Sequence, residues 1–216
     1  MLYRLAWLLF NIPLRLAFRL RFVGRGRLPS RGPVVVSGNH LSYLDPILLA
    51  LATWRPIHYM AKVELFEGNR AFAWLLRHVH AFPVRRGTAD REALTRAQEI
   101  LDAGGIVGIF PEGTRSSDGS LGEVYGGAAL VAIRSGATLV PVGIAGTEEV
   151  LPRGSRRLRF APVVMAFGEP VTPDRALAGS RKERVASLTG MLMEELEIAV
   201  EEARALRAGT GGGSPG

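Results

Sequence analysis

Val34-Val35-Val36-Ser37-Gly38-Asn39-His40-Leu41-Ser42-Tyr43-Leu44-Asp45-Pro46-Ile47-Leu48-Leu49 reads as a strand, a turn and the start of a helix in succession. The three valines suit a strand buried on both faces, and the apolar run from Ile47 to Ala52 suits a helix. Asp45-Pro46 fits the helix start, a carboxylate N-cap followed by proline at the first helical position. His40 then falls in the turn that leaves the strand. On one continuous helix the two residues would point about 140° apart, so His40 and Asp45 meet only if the chain folds back before the helix begins. Where they meet, the carboxylate fixes the imidazole's tautomer and makes it a general base. Where they do not, Asp45 caps a helix and His40 is a loop histidine. On this stretch alone both readings stand, and a second stretch, Phe110-Pro111-Glu112-Gly113-Thr114-Arg115-Ser116, raises the first.

Outward from this unit, the same alternation repeats. Strands are predicted at Val34–Ser37, Ile57–Met60, Ala81–Val84, Ile106–Phe110, Thr138–Ile144 and Val163–Phe167. Helices are predicted at Pro46–Thr53, Arg70–His78, Ala89–Ala103 and Gly127–Ser135, the third with Ala93, Leu94, Ala97, Ile100 and Leu101 on one face and Gly104-Gly105 at its end. A last helix spans about Lys182 to Leu206, with Leu188, Leu192, Leu196, Ala199, Val200 and Ala203 on one face. Strands alternating with helices give an α/β fold, a mixed, largely parallel sheet flanked by helices. No internal repeat is present.

Residues 1–28 stand apart. Leu5 to Leu14 is mostly apolar but is bracketed by Arg4 and Arg15 and interrupted by Asn11 and Pro13. It falls short of the roughly 20 apolar residues of a spanning helix, and no small-residue cleavage site follows it. A second helix is predicted from Leu14 to Phe22, with Arg15 and Arg19 one turn apart and Leu16, Ala17 and Leu20 opposite. Apolar helices rimmed by arginine suit the interface of an anionic bilayer. The expectation is monotopic attachment to the cytoplasmic face of the plasma membrane; a pair of helices covering the core is the alternative. The domain plan is therefore a membrane-associating helical segment at 1–28, an α/β domain at 29–208 and a disordered glycine-rich tail at 209–216.

The length, 216 residues, suits one domain with a substantial core, and 47% apolar composition stops short of a multi-span membrane protein. Without cysteine, disulfides and thiolate metal sites are excluded. A net charge of +7 points to an anionic partner: a membrane, a nucleic acid or a phosphorylated small molecule. The four histidines, His40, His58, His78 and His80, form no metal-ligand pattern, so neither a metal nor a resident cofactor is expected.

The groups able to do chemistry follow successive strands. His40 and Asp45 follow the first, Lys62 the second, Arg85 and Arg86 the third, and Glu112, Thr114 and Arg115 the fourth, while Pro141 lies within the fifth. Sites in open α/β sheets form outside the carboxyl ends of the strands. A base, a carboxylate to orient it and two or three cations for a phosphate make a consistent set. Singly, each has a plainer reading, a solvated arginine or lysine and a glutamate in a turn; their joint placement carries the argument.

Asn39-His40-x-Ser42-x-x-Asp45 resembles the His-x4-Asp motif of the glycerolipid acyltransferases, the 1-acylglycerol-3-phosphate acyltransferase family. Phe110-Pro111-Glu112-Gly113-Thr114-Arg115-Ser116 is similar to that family's third motif almost letter for letter. Ala81-Phe82-Pro83-Val84-Arg85-Arg86 resembles its second and Val140-Pro141-Val142 its fourth. The likeness runs from about Val34 to Gly168. His80 stands where the second motif commonly has glycine and Arg85 where it often has aspartate, departures that bear on the acceptor more than on the reaction.

The resemblance implies acyl transfer. His40, oriented by Asp45, takes the proton of an acceptor hydroxyl, and the oxygen attacks the thioester of acyl-coenzyme A or acyl-carrier protein. The implied acceptor site comprises Arg86, Glu112, Gly113, Thr114, Arg115, Lys62 and Pro141. In it Arg86 and Arg115, with Lys62, hold a phosphate, and Glu112 accepts from the glycerol hydroxyl or orders the arginines. The expected reaction is transfer to the sn-2 hydroxyl of lysophosphatidic acid, giving phosphatidic acid. The alternatives are the same chemistry on a lyso-ornithine lipid or glycolipid, and a non-catalytic basic protein binding lipid or nucleic acid. The chain lacks the aromatic-plus-basic platform of single-strand nucleic-acid binders, so no nucleic-acid partner is expected.

Overall fold

The computed structural model describes residues 2–85, 90–111, 126–155, 157–176 and 178–210. The chain opens with α1 (Leu2–Ala17), β1 (Arg21–Val23), β2 (Val34–Gly38), α2 (Asp45–Ala50) and β3 (Ile57–Lys62). The single-turn α3 (Glu64–Glu67), α4 (Arg70–His78), β4 (Phe82–Val84), α5 (Arg91–Asp102) and β5 (Ile106–Ile109) follow. The remainder is α6 (Gly127–Ser135), β6 (Thr138–Ala145), the single-turn α7 (Thr147–Val150), β7 (Val164–Phe167) and the long α8 (Arg181–Thr210).

Seven described strands form one sheet in the order β1-β7-β6-β2-β5-β3-β4. Every pairing is parallel except that of β6 with β7, so β1 and β7 run against the other five. The sheet is thus mixed and largely parallel, as the alternation predicted. β2 lies inside it with every residue buried. Side chains alternate across it: Val34 and Val36 join the cluster with Leu48, Leu49 and Phe18, whereas Val35 joins that of α5, α6 and α8. Helices α1 and α2 cover one face, and α5, α6 and α8 the other, giving three layers.

The closest helix-to-sheet approach runs through Gly143 of β6. A Cβ there would stand 2.0 Å from the Ala199 carbonyl oxygen, so α8 lies directly on the strand where no side chain intervenes. Ala199 and Ala203, both fully buried, continue this small-residue contact along α8.

The amino terminus departs from the sequence expectation. Pro13 lies inside α1 without ending it. The predicted second helix, Leu14 to Phe22, does not form: the helix stops at Ala17, Arg19 takes a left-handed φ of 42° and Leu20 N–H closes onto the Arg15 carbonyl. Arg21–Val23 then pairs with Val164–Ala166 as an edge strand. Tertiary pairing overrides local pattern here, because Phe18 and Leu20, each 4% exposed, are buried against the sheet. At the other end α8 continues through Gly209 to Thr210, past the predicted Leu206, and the rest of the predicted tail lies outside the described residues.

Candidate active site

The carboxyl ends of β6, β2, β5, β3 and β4 share one edge, because these five strands are parallel to one another. Reading along it, Thr147, His40, Phe110, Lys62 and Arg85 each follow or end one strand. The ends of β6, β2 and β5 converge on one histidine.

Asn39 fixes the start of the turn. Its amide accepts from Ile144 N–H at 2.7 Å and donates to the Ile144 carbonyl at 3.0 Å, so the side chain extends the β2–β6 ladder by one step. The backbone then folds back, and His40 Nδ1 lies 2.7 Å from Asp45 Oδ2. The same oxygen accepts from Leu41 N–H at 2.7 Å and Ser42 N–H at 2.8 Å. Asp45 Oδ1 accepts from Thr147 Oγ1 at 2.5 Å, within the range of charge-assisted O–H···O bonds. Surrounded by donors, the carboxylate only accepts; Nδ1 therefore carries the ring proton, and the lone pair sits on Nε2.

Asp45 is the first residue of α2 and makes no side-chain cap bond; the N-cap position is Leu44. The N-cap reading is therefore corrected. The carboxylate turns back into the loop because two amides, an imidazole and a hydroxyl converge there, with Asp45 and Thr147 both wholly buried. An uncompensated carboxylate at that depth would be costly, and these four bonds offset the lost water.

The Phe110 ring stacks on the His40 ring, 4.2 Å between centroids and 18° between planes, and Tyr59 stacks on Phe110 from the far side at 6.1 Å. His40 keeps 8% of its surface exposed, enough for one edge to meet a reactant. Ser42 donates to the Leu151 carbonyl at 3.2 Å, so its hydroxyl is engaged locally.

The structure thus brings together His40 and Asp45, with Phe110 beside them. Lys62 lies two strands from β2 in the sheet order, roughly 10 Å away at ordinary strand spacing, and its ammonium is 3.6 Å from Glu64 Oε1. Pro141 is buried inside β6 opposite Ser37, beneath the site, and a Cβ on Gly168 would come 2.9 Å from its ring. Arg86, Glu112, Gly113, Thr114 and Arg115 lie outside the described residues. Arg85 N–H donates to Asp90 Oδ2 at 2.7 Å, and that bond, with one from Ala93 N–H, holds the Asp90 carboxyl below its usual range. Between β4 and α5 a cleft of about 270 Å³ is lined by Phe82, Val84, Arg85, Asp90 and Arg96, at the far edge of the sheet from His40.

Sequence reading missed two contributors. Thr147 sits 102 residues from Asp45, at the first turn of a four-residue helix, and no local pattern marks it. It is presented by Gly146 at φ 100°, where a Cβ would come 2.2 Å from the Pro162 carbonyl oxygen. Phe110 belongs to the third motif, which assigns it no role; an aromatic residue directly after a buried strand is the available signal.

A family model described as Acyltransferase matches residues 19–145. The 1-acyl-sn-glycerol-3-phosphate acyltransferase of Bacillus subtilis (strain 168) is 30% identical over 179 residues, 82% of this chain and 86% of that protein. The lyso-ornithine lipid O-acyltransferase of Pseudomonas aeruginosa is 31% identical over 148 residues, 68% of this chain and 55% of that protein. Against the plant and algal relatives the chain spans about half their length, 45% to 53%. The crystal structure of the 1-acyl-sn-glycerophosphate (LPA) acyltransferase, PlsC, from Thermotoga maritima superposes with a TM-score of 0.72 at 25% identity, covering 95% of this chain and 80% of that one. The sheet order, the folded-back turn after β2 and a family match over more than half of its length agree: the chain belongs to the acyltransferase family.

Proposed function

We propose that the protein transfers a fatty acyl group from acyl-coenzyme A or acyl-carrier protein to the sn-2 hydroxyl of lysophosphatidate, forming phosphatidate. The observation that carries this is the 2.7 Å contact of His40 Nδ1 with Asp45 Oδ2, on a loop hydrogen-bonded to β6 and the turn after it and stacked against Phe110 at the end of β5. With Nδ1 protonated, Nε2 accepts the acceptor's hydroxyl proton as its oxygen bonds to the thioester carbonyl carbon. The tetrahedral intermediate then expels the thiolate as the C–S bond breaks, and the imidazolium returns the proton to sulfur. General-base help of this kind contributes about 10²–10⁴-fold. The acyl group passes directly to the acceptor, since the chain has no cysteine and Ser42 is bonded to Leu151.

Arg86 and Arg115 hold the acceptor's phosphate in this reading, with Lys62 as an outer cation, and Glu112, Gly113 and Thr114 line the glycerol end. Pro141 supports the sheet beneath. Its support is chemical, since guanidinium forks match a phosphate in bidentate fashion. The relative named as a lyso-ornithine lipid O-acyltransferase, 31% identical, favours a second reading in which the same base acts on that acceptor.

The lipid substrates also call for a membrane. No described helix is long and apolar enough to cross one. α1 instead turns Leu8, Leu9, Ile12 and Leu16 to solvent, and this face lies in the interface as a monotopic attachment, with Arg15 and Arg19 at the headgroups.

Thiol release by the purified protein is measured with both donors against lysophosphatidate, lyso-ornithine lipid and a lyso-glycolipid. Lysophosphatidate is expected to be preferred, and Arg86→Ala or Arg115→Ala is expected to raise its KM by about tenfold or more, the worth of a charge-assisted bond, with the donor KM unchanged. Preference for lyso-ornithine lipid, with both variants unaffected, would overturn the phosphate assignment.

A further inference from the structure

Between α7 and β7 four consecutive side chains, Arg157, Leu158, Arg159 and Phe160, are exposed. Phe160 is 83% exposed and Leu158 59%, high values for side chains of their size. Their backbone is held. Arg159 N–H donates to the Val150 carbonyl at 2.8 Å, Val163 N–H to the Phe18 carbonyl at 3.0 Å, and Arg207 Nε to the Pro162 carbonyl at 3.0 Å. Two apolar side chains therefore stand out from a fixed segment.

The Phe160 ring stacks on Phe18 at 6.3 Å, which sets the segment against the end of α1. The exposed Leu8, Leu9, Ile12 and Leu16 recur at helical spacing on the side of α1 away from Asn11, whose amide reaches the Leu51 carbonyl at 3.0 Å. Positive charge predominates around it: Arg15, Arg19, Arg21, Arg153, Arg157 and Arg159 are exposed, no acidic residue occurs from Val150 to Gly168, and of the adjoining exposed Glu148 and Glu149 the second is paired with Arg207.

We infer that the 157–160 segment is a second membrane contact, in which Leu158 and Phe160 enter the interface of an anionic bilayer while Arg157 and Arg159 meet its headgroups. This rests on the proposed attachment by α1 and deepens it, because a helix alone leaves the body free to roll about its axis and a second contact fixes the orientation. Ser42 bonds to the Leu151 carbonyl and Arg159 N–H to that of Val150, so the segment is tied through adjacent residues to the loop that carries His40. The catalytic mouth then faces the leaflet, and the acceptor arrives by lateral diffusion. Continuity with the apolar face of α1 favours a bilayer over an acidic soluble protein, which would use the arginines and leave the leucines of α1 uncovered.

Co-sedimentation with vesicles of phosphatidylcholine and phosphatidylglycerol tests this on the full chain. Leu158→Ser with Phe160→Ser is expected to weaken vesicle binding by at least about tenfold, with the unfolding midpoint lowered only by the lost stacking of Phe160 on Phe18, since both side chains are otherwise exposed. Ile12→Ser with Leu16→Ser in α1 is the companion pair. Loss in the α1 pair with wild-type binding in the loop pair would overturn the second contact and leave the attachment by α1 standing. Wild-type binding in both would overturn the attachment itself. Because the chain has no cysteine, Phe160→Cys offers a single point for an environment-sensitive fluorophore. Its emission is expected to shift to the blue on adding these vesicles; a shift with acyl-carrier protein and none with vesicles would overturn the inference.

Discussion

Thr147→Val removes a hydroxyl and keeps the side chain's shape. In the native protein that hydroxyl donates to Asp45 Oδ1 at 2.5 Å, with both residues wholly buried. Hydrogen bonds to charged groups contribute about 1.5–3 kcal/mol, and no solvent reaches Oδ1 to replace this one. Valine is therefore expected to cost about 2 kcal/mol of stability, lowering Tm by about 4–8 °C in a chain of this size. The second effect is positional. Oδ2 still holds His40 Nδ1 and the Leu41 and Ser42 amides, but the carboxylate loses the bond that fixes its rotation about χ2. kcat is expected to fall about tenfold with KM little changed, the signature of lost transition-state positioning. Thr147→Ser restores the donor and is expected to recover most of kcat while retaining some loss of packing. The assays are thermal unfolding and thiol release from an acyl thioester under saturating acceptor. A valine variant with wild-type Tm and kcat, or a serine variant no better than valine, would refute the reasoning.

Two further outcomes follow from packing and charge. Gly143→Ala puts a Cβ about 2.0 Å from the Ala199 carbonyl oxygen, backbone against backbone, and is expected to cost about 3 kcal/mol, seen as a lower Tm; an unchanged Tm would show that α8 can shift freely. Burial holds the His58 and His80 imidazoles below the usual histidine range, against the bond from His58 Nδ1 to the Ile106 carbonyl and aided at His58 by His80 and Arg96. Folded rings that resist a proton, beside unfolded ones that accept it near pH 6.5, make stability full above about pH 7 and falling below it, levelling once the folded rings protonate. Tm measured between pH 7.5 and 5.5 is expected to drop with acid, and less so in His58→Gln; an identical slope in the variant would remove His58 from the account.

The sheet was legible where burial is two-sided. Val34-Val35-Val36 and Thr138–Ile144 carry enough apolar side chains to announce central strands, and Gly104-Gly105 marks the end of the helix predicted at Ala89–Ala103, which forms as Arg91–Asp102 behind an Asp90 cap that the sequence reading does not name. β1 was not legible. Its three residues, Arg-Phe-Val, continue a plausible helical spacing from Arg15, and only the edge of β7 makes them a strand. Asp45 shows the same limit from the other side. Its place before Pro46 spells a cap, but the Thr147 hydroxyl and the folded-back amides that redirect it arrive from elsewhere in the fold. The residues alone leave the pairing of His40 with Asp45 open, and the resemblance to the His-x4-Asp motif implies it, whereas the ring of Phe110 lying on His40 required the sheet order that sets β5 beside β2.

The most direct measurement is single-turnover acyl transfer to lysophosphatidate by His40→Gln beside the wild type, with the two matched in circular dichroism and Tm. A glutamine keeps a side-chain amide where the imidazole stood but has no basic nitrogen, so the rate is expected to fall by about 10² or more. A His40→Gln protein that transfers the acyl group at nearly the wild-type rate would contradict the assignment of His40 as the base.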